Sequence, residues 1–280
     1  MLSRIIILPF VVAAGVILYL MIINYRPDYP TVFIVLVFII TGILMGERRI
    51  NEWWTDKRKR TSDPSLVNFL FNYVPYYRGL TPPSRKEFEH QLERYITRTD
   101  FFAKLSEELP DDIKVLACIY PTVLSYQTGI DLSKKYRTVV FYVHPFLTPE
   151  YSEEVHISEV NAEDGVFIFS IEHLQMGYRG SGFFNVAIYE TAKAWLGEHI
   201  QGKNITERCP EREEVMSLAP YGDDELKRYC GMLPDNCSAL LIHHFFVFPE
   251  ELERKNPDVY NFLIGILGDH HVLSKKSFLY

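Results

Sequence analysis

The chain lacks several motifs by which catalytic chains are commonly recognised. No two of its nine histidines lie three or four residues apart, so it has no helical pair of histidine metal ligands. It has no Gly-x-Ser-x-Gly nucleophile elbow, no Cys-His nucleophile motif and no Gly-Lys-Ser/Thr phosphate loop. Its four cysteines show no Cys-x-x-Cys spacing, so neither a zinc ribbon nor a redox pair is indicated. Internal repeats and low-complexity tracts are also absent from the sequence.

Long apolar runs are present instead, both within the first fifty residues. The chain has 280 residues, a net charge of −7 and 48% hydrophobic residues, which is a globular composition with a membrane contribution. Residues 5–23 carry no charge and reach roughly 28 Å as a helix, enough to cross a bilayer core. Residues 31–46 reach roughly 24 Å and need thinning of the bilayer or snorkelling flanks. The sequence therefore predicts a membrane contact through residues 5–46.

The flanking charges predict the orientation of this pair of runs. Basic residues gather after the second run, at 48–49 and 57–60, and Arg4 precedes the first. The positive-inside rule then places both ends in the cytoplasm, with a hairpin between them. A cleavable signal peptide is disfavoured because the first run is too long, and a buried or re-entrant second run is the alternative to a spanning one. We read the basic cluster as a topology signal or a contact to anionic lipid, with no nucleic acid as partner.

Local signals predict the elements of the remaining chain. We expect helices over 81–97, 111–127, 235–248 and 257–267, each with cap or proline signals near its start. Short β-branched and aromatic runs predict strands at 138–143 and 166–170, with a weaker candidate at 155–160. Residues 201–221 are polar, which predicts an excursion of the chain at the surface. The expected organisation is a transmembrane hairpin (1–49), a juxtamembrane linker (50–69) and an α+β domain (70–280).

One predicted helix, residues 185–196, has the outline of a zinc-binding helix without its histidines. It is apolar, with no internal glycine or proline, as suits a buried helix. Its centre reads Tyr189-Glu190-Thr191-Ala192-Lys193, which is His-Glu-x-x-His with both histidines replaced and the glutamate retained. A phenol and an ammonium are poor ligands for a divalent cation. The pattern therefore indicates a metallopeptidase fold more clearly than metallopeptidase chemistry.

Several segments in order resemble the MtfA family of bacterial zinc peptidases, whose core is similar to that of anthrax lethal factor. The Tyr-Arg-Gly-Leu-Thr stretch at 77–81 looks like that family's opening, and 136–145 looks like its strand ending in Tyr-Pro. Residues 185–193 fall on its Asn-Val-Val-Leu-His-Glu-Phe-Ala-His. Tyr229, Pro234 and a Phe-Phe-x-x-Pro stretch keep its later spacing. The resemblance covers about residues 70–271 and implies a zincin-like fold.

The resemblance implies specific roles at five positions. The family's histidine ligands fall on Tyr189 and Lys193, and its glutamate ligand falls on Asn236. Its water-activating glutamate falls on Glu190, and a tyrosine thought to steady the reaction intermediate falls on Tyr229. All three metal ligands differ while both helpers remain, so zinc is expected in the family and lost here. The family's edge strand falls on a candidate peptide-binding strand made of Val166, Phe167, Ile168, Phe169 and Ser170.

The charges at these positions suggest what replaces the ion. In the family's site, zinc at +2 is balanced by two glutamates. Here Lys193 supplies +1, Glu190 supplies −1 and Asn236 is neutral, so both arrangements sum to zero. Glu190 and Lys193 lie three apart on one helix, close enough to pair. We therefore expect the ammonium to stand in for the ion and the Tyr189 ring to fill the space of an imidazole; the alternative is that Lys193 points to solvent.

The expected function is that of a pseudo-peptidase in the bacterial cytoplasmic membrane, with a cytoplasmic domain that binds an unknown protein or peptide without cutting it. An active peptidase with atypical metal ligands is the first alternative, supported by Glu190 and Tyr229. A structural membrane scaffold, with its groove closed by Tyr189 and neighbouring aromatic residues, is the second. The adjacent histidine pairs at 243–244 and 270–271 are read as ordinary surface or core-edge residues, because adjacent side chains diverge on a helix.

Overall fold

A computed structural model describes residues 2–24, 26–57, 63–104, 109–180, 182–200 and 202–268. The chain forms two compact units, divided between residues 61 and 62. This division lies inside the range 50–69 that the sequence predicts as a linker. Two helices overlap that range, α3 (Glu47–Lys57) and α4 (Pro64–Tyr73). Residues outside the described part lie between them.

The first unit contains the two apolar runs as helices. Helix α1 covers Leu2–Ile23 and helix α2 covers Asp28–Met45, and the two contact each other. Both are long and apolar enough to cross a membrane, and almost none of their side chains is buried within the chain. The start of α1 is tied to α3, because Ser3 Oγ donates a 2.8 Å hydrogen bond to Glu47 and Asn51 Nδ2 donates one of 3.1 Å to Ser3 Oγ.

The second unit is a mixed α+β domain, as predicted. Its remaining helices are α5 (Pro75–Gly79), α6 (Pro82–Arg98), α7 (Asp111–Thr128), α8 (Ile171–Met176), α9 (Val186–Glu198), α10 (Gly202–Glu207), α11 (Arg212–Met216), α12 (Asp223–Cys230), α13 (Cys237–Val247), α14 (Pro249–Lys255) and α15 (Pro257–Leu267), with a 3₁₀ turn at Leu132–Lys134. The predicted helices α6, α7, α9, α13 and α15 are confirmed.

Helix caps explain why these predictions were accurate. Thr81 accepts from the Ser84 N–H at the start of α6, and Asn256 accepts from the Val259 N–H at the start of α15. The predicted surface excursion at 201–221 is wrong in part. It folds into α10 and α11, and Ile205, Val215 and Met216 on these helices are buried. Together with Leu218, which is also buried, these apolar residues anchor the polar stretch to the core.

Four described strands form one sheet. They are β1 (Asp100–Lys104), β2 (Thr138–Tyr142), β3 (Ser158–Asn161) and β4 (Val166–Ser170), in the spatial order β1-β2-β4-β3. The β1-β2 and β2-β4 pairs are parallel, and the β3-β4 pair is antiparallel. Strand β1 was not predicted; it alternates between exposed and half-buried residues and packs only one face.

The predicted edge strand at Val166, Phe167, Ile168, Phe169 and Ser170 is an interior strand. Strand β4 pairs with β2 on one side and with β3 on the other, so its backbone groups are occupied on both sides. Its near-continuous apolar sequence already fits such a position, since strands buried on both faces carry few polar residues. The antiparallel edge of the sheet is β3, and β3 lies against α9.

Candidate functional site

Helix α9 is held in the core by the contacts of Asn185, the residue that precedes it. Asn185 Oδ1 accepts from the Ile188 N–H at 3.1 Å and caps the helix, while Asn185 Nδ2 donates to the Gly177 carbonyl at 2.7 Å. The Asn185 backbone N–H donates to His243 Nε2 at 3.0 Å. Gly177 is required here, because a Cβ on it would lie 2.9 Å from the Asn185 Cα. These contacts fix the rotation of α9, and with it the direction of the side chains that follow.

Glu190 and Lys193 form an ion pair on α9. Lys193 Nζ lies 3.2 Å from Glu190 Oε2, as the spacing of the two residues predicts. Ser158 Oγ, from strand β3, donates a 2.8 Å hydrogen bond to Glu190 Oε1. The Glu190 side chain is 2% exposed and that of Lys193 is 23% exposed. Burial by itself would lower the pKa of Lys193, but the Glu190 carboxylate outweighs it, and the pKa of Lys193 is raised.

Tyr189 and Asn236 meet beside this pair. The Asn236 N–H donates to the Tyr189 hydroxyl oxygen at 3.2 Å, and Lys193 Nζ lies 5.5 Å from the centre of the Tyr189 ring. Burial, and then the charge of Glu190, raises the pKa of Tyr189. The Asn236 side chain faces its own helix, since Oδ1 accepts from the Ala239 N–H at 2.9 Å and caps α13. Tyr189, Lys193 and Asn236 are therefore neighbours, but the Asn236 side-chain oxygen already has a structural partner.

The cavity beside Glu190 is small. It measures about 30 Å³, which is room for about two water molecules, and Tyr151, Phe184, Tyr189 and Asp235 contribute to its wall. This space can hold ordered water rather than a large side chain.

A second buried ion pair lies on the same cavity and was not predicted from the sequence. His156 Nε2 is 3.1 Å from Glu159 Oε2, and Thr148 Oγ1 donates to the same oxygen at 2.6 Å. His156 is 1% and Glu159 4% exposed. Burial opposes the charge on both, but their mutual hydrogen bond prevails, so the pKa of His156 is raised and that of Glu159 is lowered. No sequence motif marks this pair, whose members lie within the weakly predicted strand at 155–160.

Tyr229 lies apart from the Glu190 cavity. It is on α12 and lines a neighbouring groove with Tyr221 and Phe184, while the Glu190 cavity is lined by Cys230, the next residue. Its ring packs edge-on against His173 at 5.2 Å between centroids. Its hydroxyl is buried and has no hydrogen-bond partner among the described residues. The structure thus brings together four of the five positions that the resemblance singles out, and places Tyr229 on a neighbouring groove that shares Phe184 with the cavity.

The histidine pair at 243–244 is core, which corrects the prediction of surface or core-edge positions. Both side chains are fully buried on α13. The His243 ring stacks on Phe184 at 4.4 Å and accepts from Asn185, so it supports α9 directly. Burial, and then the neighbouring His244, holds the pKa of His243 well below its ordinary value. The pair at 270–271 lies outside the described residues. Within the described part, no group of three or more His, Cys, Asp or Glu side chains is placed to hold a metal ion.

Strand β3 presents free backbone groups beside the cavity. The Ser170 N–H donates to the Ile157 carbonyl, so alternate residues of β3 face β4, and the backbone groups of Ser158 and Val160 point away from it. Two residues before Ser158, His156 exchanges two 2.9 Å hydrogen bonds with Phe146. Within the described part of the chain, the outward N–H groups of Ser158 and Val160 have no such partner.

Comparison of the chain with models of known protein families gives no match, and comparison with curated proteins gives none either.

Proposed function

We propose that this chain is a membrane-anchored pseudo-peptidase: a zincin-like domain, similar to the MtfA peptidases, that binds an extended peptide segment without cleaving it. The observation that carries the proposal is the buried Glu190–Lys193 ion pair. In a zinc peptidase of this kind, the metal lowers the pKa of a bound water, and the glutamate takes its proton. Here the cation next to the glutamate is an ammonium, which does not lower the pKa of a water molecule as a metal ion does and so creates no nucleophile.

The surroundings of the pair support loss of the metal site. The Tyr189 ring occupies one ligand position and its hydroxyl holds the Asn236 N–H. The side-chain oxygen of Asn236 caps α13 and is not directed at an ion. Lys193 neutralises the charge of Glu190, just as the zinc ion of a peptidase is neutralised by its two glutamates. The domain therefore keeps the electrostatic balance of a peptidase site without a Lewis acid.

Strand β3 is the surface that we assign to the peptide. A bound strand would extend the bridge between Phe146 and His156 and pair with the outward groups of Ser158 and Val160. It would then pass over the cavity mouth beside Tyr189. This replaces the assignment to the interior strand at 166–170, which has no free edge.

The membrane anchor completes the proposal. Helices α1 and α2 would span the cytoplasmic membrane of a bacterium as a hairpin, with the basic residues after α2 keeping the peptidase-like domain in the cytoplasm. The domain would then bind peptide segments that reach the membrane surface from the cytoplasmic side.

A metal-restoration experiment tests the loss of catalysis. The full chain is purified in detergent and compared with the triple variant Tyr189→His/Lys193→His/Asn236→Glu by metal analysis and by casein digestion. We expect no stoichiometric zinc and no casein cleavage in the natural chain, and bound zinc in the triple variant. The double variant that keeps Asn236 is the control and should bind zinc more weakly, since it lacks one ligand.

Two results would contradict this account. Stoichiometric zinc in the natural chain, with casein cleavage that Glu190→Gln abolishes, would establish the active peptidase instead. A triple variant that folds, as judged by circular dichroism, but binds no zinc would show that positions 189, 193 and 236 do not correspond to the family's ligands.

A second experiment tests strand addition. Immobilised full chain is exposed to a tryptic digest of casein, and the retained peptides are quantified. Val160→Pro removes one outward N–H without touching the bonds to β4, and proline is tolerated at an edge strand. Val160→Ala is the matched control and keeps that N–H. We expect retention by the natural chain and by Val160→Ala, and its loss in Val160→Pro.

One observation favours the scaffold alternative. The cavity is only about 30 Å³ because Tyr151, Phe184 and Tyr189 fill the space around Glu190. If the domain is only a scaffold, none of the three chains retains peptides in the experiment above. Equal retention by Val160→Pro and Val160→Ala would show binding at another surface.

A further inference from the structure

Two of the four cysteines lie in contact, although 28 residues separate them in sequence. The Cys209 S–H donates to Cys237 Sγ with 3.4 Å between the sulfur atoms. Both residues are partly exposed, whereas Cys118 and Cys230 are buried. We propose that Cys209 and Cys237 are a modification site, at which a hydroperoxide converts the two thiols into a reversible disulfide.

The backbone around the two thiols favours this pairing. Cys209 follows α10 and precedes Pro210, and Cys237 is the first residue of α13. The Cys237 S–H donates to the Pro210 carbonyl oxygen at 3.6 Å, so the Cys237 sulfur lies beside the segment that carries Cys209. A disulfide needs the sulfurs at about 2.05 Å, which is a further approach of about 1.4 Å. Rotation of the two side chains has to supply this movement.

The polarity of the contact selects Cys237 as the attacking thiol. The hydrogen bond from Cys209 lowers the pKa of Cys237 to about 7; burial opposes this shift and the Arg212 guanidinium supports it. The Cys237 thiolate attacks one peroxide oxygen, the O–O bond breaks, and the other oxygen leaves and takes up a proton. The resulting sulfenic acid is attacked by Cys209 sulfur, which loses its proton as water departs. Two thiols are oxidised, and one hydroperoxide is reduced by two electrons.

The disulfide would fix a contact at the candidate site. Cys237 follows Asn236, whose N–H donates to the Tyr189 hydroxyl. A covalent link from Cys209 to the first turn of α13 limits local opening of that turn. We therefore expect the amides of Asn236 and Ala239 to exchange hydrogen more slowly in the oxidised chain. This inference does not depend on peptide binding or on the absence of zinc.

The test uses the full chain, reduced and then treated with graded hydrogen peroxide in detergent. Free thiols are counted after denaturation, and peptide mass mapping locates any disulfide. We expect the thiol count to fall from four to two per chain, a Cys209–Cys237 link, and recovery of four thiols with dithiothreitol. The single variants Cys209→Ser and Cys237→Ser should form no intramolecular disulfide. Cys118→Ala, which changes a buried cysteine, should form the same link as the natural chain.

Three outcomes would overturn the proposal. The first is a chain that keeps four thiols under peroxide. The second is a disulfide that includes Cys118 or Cys230, or that joins two chains. The third is oxidation of Cys237 to sulfinic acid while Cys209 stays a thiol, which would show that the two sulfurs do not reach each other.

Discussion

Removal of the Lys193 ammonium should destabilise the folded domain strongly, because Glu190 would be left buried without a cation. The Glu190 carboxylate is 2% exposed, and its remaining partner is the Ser158 hydroxyl. Breaking a buried ion pair on one side costs about 3 to 5 kcal/mol. Lys193 is 23% exposed, so its charge is partly solvated and the lower end applies. We expect Lys193→Met to lower the free energy of unfolding by about 3 kcal/mol.

Removal of the Glu190 charge should lower the free energy of unfolding less than removal of the Lys193 charge. In Glu190→Gln the lysine keeps its charge but can turn its ammonium toward water, so we expect a loss of about 1 kcal/mol. The double variant Glu190→Gln/Lys193→Met has no buried charge and keeps an amide oxygen for Ser158. Its stability should lie within about 1 kcal/mol of the natural chain. The two single changes are therefore strongly coupled.

Thermal unfolding of the full chain in detergent, followed by circular dichroism, measures these differences. For a unit of this size about 3 kcal/mol corresponds to a fall in Tm of about 6 to 12 °C. Because the folded-state pKa of Lys193 is raised, the pair stabilises fully below the ordinary lysine value of 10.5 and is lost as the pH rises through the folded value. An unchanged Tm in Lys193→Met, or a double variant as unstable as that single variant, would refute the reasoning.

Two further predictions concern the core around the site. The folded-state pKa of His243 lies below its ordinary value of 6.5, so the unfolded chain takes up the proton and stability falls as the pH drops below 6.5. From pH 6.5 to about 5.5, the free energy of unfolding in urea should fall by about 1 kcal/mol more for the natural chain than for His243→Gln. The glutamine amide oxygen can still accept from the Asn185 N–H. Equal losses in the two chains would contradict this. Gly231 has a φ of +82° and a Cβ there would lie 1.9 Å from the Val155 oxygen. Gly231→Ala should therefore lower the free energy of unfolding by more than about 2 kcal/mol. In Gly265→Ala the added Cβ meets nothing within 4 Å, so this control should stabilise α15 by about 0.7 kcal/mol. Similar Tm values for the two variants would contradict the strain at Gly231.

The features that the sequence predicted well depend on neighbours along the chain. An apolar run needs only its length to indicate α1, and a cap such as Asn185 needs only the three residues that follow it. The Glu190–Lys193 pair belongs to the same class, because helix geometry alone brings residues three apart together. The assignment of the family's ligand positions to Tyr189, Lys193 and Asn236 stays a prediction, as does the zincin-like fold.

What the tertiary structure decided depends on residues far apart in the chain. Strand β4 became interior because β3 folds back against it, and strand order cannot be read from the strand itself. His243 became core because α13 packs on α9, and a polar side chain is buried only where a distant donor such as the Asn185 N–H satisfies it. The Cys209–Cys237 contact has the same origin. Local sequence determined the longer helices and their caps, whereas pairing across the fold determined which polar groups are buried, which strand has a free edge and which thiols meet.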